Sequence, residues 1–156
     1  MIRALLNRLK NLLYPPKCRA CGVFLTNPET VLCPDCQAAW EKEKAERGFG
    51  GIAPRGTNGF VTLVQYRKQA YSVGKRLVLR IKDKRDRELI RFLVRDLTLE
   101  IKLSGKPFDG VTYAPRGRSK RREMGTDQAE CLAKELAEAF HVPLYPVLVH
   151  IGEGEQ

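Results

Sequence analysis

Apolar residues recur at helical spacing in four stretches of the 156-residue chain, with short strand-like runs between them. Ile2, Leu5, Leu6, Leu9, Leu12 and Leu13 share one face, with Arg3, Arg8 and Lys10 elsewhere around it, and Pro15 and Pro16 end that helix. The stripe suits a helix docked on the rest of the protein; a helix lying on a membrane surface or a partner is the other reading. Gln37 to Arg47 is a short polar helix with the single tryptophan, Trp40. Residues 48–59 are rich in Gly and Pro and read as a linker. Phe60 to Tyr66 reads as a strand. Ser72 can cap a helix to about Lys82, with Val73, Leu77 and Ile81 on one stripe. A helix from about Asp86 to Leu103 turns Leu89, Phe92, Leu93 and Leu97 inward and stops at Ser104-Gly105-Lys106-Pro107. Asp109 to Pro115 is a short strand, Thr126 or Asp127 caps a helix through Phe140, and Leu144 to His150 is a last strand. Helix alternating with strand predicts an α/β domain with a parallel sheet.

Composition adds a partner class. Against 28 Lys and Arg stand 18 Asp and Glu, a formal net charge of +10. That surplus favours polyanions: nucleic acid, a phosphorylated small molecule or acidic lipid. Arg8 and Lys10 break the opening apolar run, so it lacks the continuous core of a secretory signal. No stretch approaches the ~20 apolar residues of a membrane span. The expected location is the cytoplasm, where paired CxxC units signify metal or redox chemistry rather than structural disulfides.

Cys18-Arg19-Ala20-Cys21-Gly22 and Cys33-Pro34-Asp35-Cys36 are two CxxC turns with eleven residues between them. Each turn folds two thiols toward one point, and two facing turns complete a tetrahedron around zinc. Gly22 suits the tight backbone of such a knuckle, where φ is often positive. A module this short buries too little apolar surface to fold unaided, so metal binding would supply much of its folding free energy. A dithiol redox centre needs only one CxxC beside a thioredoxin-like βαβ pattern, and two disulfides need an oxidising compartment. Structural zinc held by Cys18, Cys21, Cys33 and Cys36 is favoured over both. Four cysteines leave no place for water, which argues against a catalytic metal. Cys131 falls within an amphipathic helix as a buried thiol.

Five positive side chains lie within residues 116–122, between a strand end and a helix start. A charge run is commonly a solvated surface. At a strand-to-helix junction it can also join helix N-terminal amides in binding an anion.

Several motifs together resemble the ComF family: a basic helix ending in Tyr14-Pro15-Pro16, the paired cysteine knuckles, a Tyr-containing strand and the Leu79-Arg80-Ile81-Lys82 helix ending. The stretch Arg122-Glu123-Met124-Gly125-Thr126-Asp127-Gln128 is similar to that family's Arg-Gly-Phe-Asn-Gln segment. The resemblance covers nearly the whole chain. It implies a zinc-ribbon segment (17–47, after the 1–16 helix and before the 48–59 linker). It also implies a type I phosphoribosyltransferase-like, Rossmann-like domain over 60–156, and association with bacterial competence and DNA uptake. By carry-over, Arg116, Lys120 and Arg122 become candidate pyrophosphate contacts, with Lys82 approaching the same anion. Met124 stands where arginine is usual, and Asp127 where asparagine is usual, which removes a cation and adds an anion.

The family's acidic pair followed by a Thr/Gly-rich turn is not found in the 156 residues. The expectation is therefore an incomplete, C-terminally truncated and catalytically inactive phosphoribosyltransferase-family chain. Mg²⁺ with phosphoribosyl diphosphate is implied only for a full-length domain. The second reading is a basic zinc-containing module that binds single-stranded DNA or a protein of the transformation machinery. Its basic loop has no interleaved aromatics for base stacking.

Overall fold

Local capping chemistry sets most element boundaries in the computed structural model, which describes residues 13–46, 55–57, 59–64, 72–83, 86–125 and 127–151. The N-terminal amphipathic stripe up to Leu12 and most of the 48–59 linker lie outside them. The elements are helices α1 (Pro34–Ala45), α2 (Val73–Asp83), α3 (Arg87–Ser104), α4 (Arg118–Met124) and α5 (Gln128–Phe140). Two compact units form, one from Met1–Gly51 with Val64–Arg80, the other from Ile52–Leu63 with Ile81–Gln156.

In the first unit, Trp40 of α1 is 1% exposed, and Leu77 of α2 is fully buried. α1 is otherwise polar; its buried residues are Cys36 and Trp40. In the second unit, Asp86 caps α3, its Oδ1 accepting from the Leu89 N–H at 3.1 Å. Leu89, Ile90, Phe92, Leu93 and Val94 are buried, and Gly105 closes the helix in the left-handed conformation, φ 64°. α3 packs on α5, where small Ala133 and Ala137 are the buried residues. Val111, Phe108, Tyr113, Leu136, Val142 and Leu144 complete that core. Phe108 and Phe140 meet edge to face, centroids 4.8 Å apart.

The expected α/β class with a Rossmann-like parallel sheet is not what forms. Among the described residues helix makes up 50% and strand 3%, with no sheet. Residues 60–64 carry no strand, and Phe60 and Val61 remain exposed. Between the two later apolar runs a single parallel bridge joins Val111 to Leu144. The Val111 N–H donates to Pro143 O (3.0 Å) and the Tyr145 N–H donates to Val111 O (2.8 Å). A parallel pair grows only if both strands continue to offer evenly spaced donors and acceptors. Pro115 and Pro146 have no N–H, and the Val147 N–H turns back on Tyr145 O at 2.9 Å. Pairing therefore stops after one rung. Tyr145, Val147, Leu148, Val149 and Ile151 are left between 51% and 96% exposed.

Candidate metal centre

The first knuckle is a tight hairpin. Lys17 and Phe24 form an antiparallel bridge, Cys18 N–H donates to Val23 O at 2.8 Å, and Gly22 N–H donates to Cys18 O at 2.9 Å. Gly22 makes the reversal at φ +81°, and a Cβ there would meet no atom within 4 Å. The demand for glycine is thus conformational rather than spatial. The second knuckle is built on a helix start. Cys33 is the N-cap residue of α1, Pro34 occupies its first turn, and Gln37 N–H donates to Cys33 O at 2.8 Å. Arg19 N–H donates to Val31 O at 3.0 Å and ties the two knuckles together.

The four sulfurs converge. The Sγ atoms of Cys18, Cys21, Cys33 and Cys36 all lie within 4.8 Å of one another, and Cys21 Sγ is 3.7 Å from Cys33 Sγ. Zn–S bonds of ~2.3 Å in a tetrahedron place sulfurs about 3.8 Å apart along each edge. The donor set therefore fits a tetrahedral metal ion in number, type and spacing. Cys18, Cys33 and Cys36 are buried and Cys21 is exposed, and all four are free of disulfides.

The electrostatics of the cluster are uneven. Burial pushes the Cys18 thiol up, but the backbone amides of Cys21, Cys33 and Ala20 outweigh it and hold the group at about 6. Burial and then the neighbouring sulfurs of Cys33, Cys21 and Cys18 push Cys36 well up. At Cys21 the Val23 amide lowers the thiol, yet burial and the Cys18 and Cys33 sulfurs leave it raised. One thiolate thus discourages the next until a cation sits among them. When bound, zinc would neutralise that repulsion and close the shell with four protein ligands, giving structural support rather than an open catalytic position.

Neither a family model, nor a curated protein, nor a solved structure matches the chain.

The basic stretch is not a loop. Arg118–Met124 forms α4, between Gly117 and Gly125. Arg116 is half-buried and Arg122 exposed, while the Lys120 side chain lies outside the described residues. Lys82 is exposed on α2. Arg121 is engaged by Glu130, Nη2 to Oε2 at 2.9 Å, and Glu130 also takes Lys134 at 2.6 Å. Asp127 explains itself structurally. It is 3% exposed; Oδ1 accepts from the Ala129 and Glu130 amides at 3.0 and 3.4 Å, and Oδ2 accepts from the Arg116 amide at 2.8 Å. One carboxylate caps α5 and fastens Arg116, two residues before α4.

Glu43 escaped the sequence reading. Its carboxylate receives the Val73 N–H (2.7 Å), the Gly74 N–H (2.9 Å) and the Ser72 hydroxyl (3.0 Å). The partners lie about thirty residues away, so only the missing acid in the first turn of α2 hinted at them.

Proposed function

We propose that this chain is a ComF-like protein of bacterial DNA uptake, working in the cytoplasm, whose Cys18–Cys21–Cys33–Cys36 cluster holds structural zinc. The convergence of four thiols, with one sulfur pair at a tetrahedral edge length, carries the metal part of the reading. The motif combination from Tyr14-Pro15-Pro16 to Gln128 supports the functional part. No phosphoribosyl transfer is assigned, because the parallel sheet on which that chemistry would be built is not formed among the described residues. Arg116, Arg122 and Lys82 are proposed as anion contacts on a protein of net charge +10.

Two measurements test the reading. The purified chain should contain about one zinc per molecule by atomic emission, and Cys36→Ser should remove it whereas Cys131→Ser should not. Deleting the gene should lower chromosomal transformation frequency without slowing growth. Unchanged transformation would refute the DNA-uptake assignment, and absence of bound metal would refute the zinc site.

The charge favours a second reading, a binding module for single-stranded DNA. In a salt titration, binding through phosphate contacts must weaken steeply as salt rises. Affinity that is flat, or no binding at low salt, would sink it.

A further inference from the structure

α1 offers few anchors to hold it. Its buried residues are Cys36 and Trp40, and Glu43 follows at the next helical step. Positions 36, 40 and 43 are spaced four and three apart, so a thiol, an indole and a carboxylate share one face. Metal ligation would fix the first of these, about 10 Å along the axis from the last.

α2 has the complementary need. Its first turn contains no acidic residue but does contain Lys75 and Arg76, cations at the end where the helix dipole disfavours them. Glu43 supplies the missing anion, accepting two helix N-terminal amides and the Ser72 hydroxyl. Ser72 Oγ in turn accepts from the Lys75 amide at 3.1 Å. The approach is close: a Cβ at Gly74 would lie 2.7 Å from Val64 Cγ2 and 3.1 Å from Glu43 Oε2. A second, longer tie runs from Arg76 Nη1 to the Ala20 carbonyl at 3.5 Å, between the two cysteines of the first knuckle.

We propose that metal occupancy is transmitted to α2 through Glu43, so that the basic helix is ordered when the cysteine cluster is loaded and frays from its N-terminus when it is not. The inference rests on the metal reading above. Glu43 is a positioning residue: it touches no metal, and it places α2 by way of α1. Loss of metal frees the first turn of α1, the carboxylate leaves the α2 amides, and the first turn of α2 is left with cations alone. The chain would then present its Lys75–Lys82 charge in a metal-dependent manner.

Hydrogen–deuterium exchange on the full chain tests this, with zinc content measured on the same samples. In the zinc-loaded protein, chelation should speed exchange of the Val73–Gly74 amides by at least about tenfold, the scale of a lost charge-assisted hydrogen bond. Peptides from α3 and α5 should change far less. Glu43→Gln should retain zinc yet show the same fast exchange, and chelation should then add little further change. Glu43→Asp should recover part of the protection, and Glu41→Gln, a charge removal on the same helix, should leave α2 as it was. If zinc is bound but chelation leaves Val73 and Gly74 unchanged, or if chelation acts equally in Glu43→Gln, transmission through Glu43 is wrong while the metal site stands. If Glu43→Gln fails to retain zinc or to fold, Glu43→Asp decides: exchange like wild type under chelation supports the proposal, and indifference to chelation overturns it. If no zinc is bound in wild type, the metal reading itself has failed.

Discussion

Asp127→Asn is the most informative single change outside the metal centre. It alters one atom type in a buried side chain. Asn is as good an N-cap as Asp, so its oxygen can keep the Ala129 and Glu130 amides. The other end then becomes an NH₂ group facing the Arg116 N–H, which donates at 2.8 Å to Oδ2 in the wild type. Two donors cannot bond, and the Arg116 amide loses its partner. A buried donor left unsatisfied costs about 1–3 kcal/mol. Asp127→Ala loses the cap as well, a further ~1 kcal/mol. Expected destabilisations are therefore about 2 kcal/mol for Asn and about 3 kcal/mol for Ala. At ~2–4 °C per kcal/mol for a chain of this size, Asn should lower Tm by roughly 4–8 °C. Far-UV circular dichroism of the zinc-loaded protein reads the loss, because α3 and α5 contribute much of the helix signal. A Tm for Asp127→Asn within 1 °C of wild type would refute the claim that Oδ2 holds the Arg116 backbone.

Three other outcomes follow from the geometry. Zinc affinity should fall as pH falls, because protons compete for the thiolates. The fall should steepen by one proton per metal below about pH 6, where Cys18 too is protonated in the metal-free protein; a zinc-chelator competition across pH 5 to 8 checks this, and a constant slope would contradict it. Gly74→Ala should destabilise the first unit by about 1–3 kcal/mol through overpacking against Val64, and Val64→Ala should relieve part of that cost, read by Trp40 fluorescence in urea. His141 caps α5 at φ 54°, in the left-handed region; His141→Gly should raise stability by up to about 1 kcal/mol, and a loss of stability would show that its side chain contributes contacts of its own.

Elements governed by nearby residues were legible in the sequence. Ser72, Asp86 and Asp127 announce helix starts because their side chains serve amides two or three positions on, and Gly105 marks a stop for a similarly local reason. The cysteines were legible because metal geometry restricts their spacing. Strands were not, because a strand exists only with a partner. The apolar runs at 109–115 and 144–150 look alike in sequence whether they pair along their length or, as here, at Val111 and Leu144 alone. The charge run concealed α4 for another reason. Arg, Lys, Glu and Met are good helix formers, so a run whose charge suggests a solvated loop also favours a helix. Glu43 was hidden by distance, since no local rule links it to Ser72, Val73 and Gly74.

The exposed segment from Tyr145 to Ile151 has a colloidal consequence. An exposed run of apolar residues is a template for pairing between copies. What opposes it is mutual repulsion between molecules of net charge +10. Dilute buffer keeps that repulsion long-ranged, whereas added salt shortens it to a few ångströms and leaves the sticky segment unopposed. The protein should therefore be most soluble at low ionic strength, and turbidity should grow as salt is raised at neutral pH.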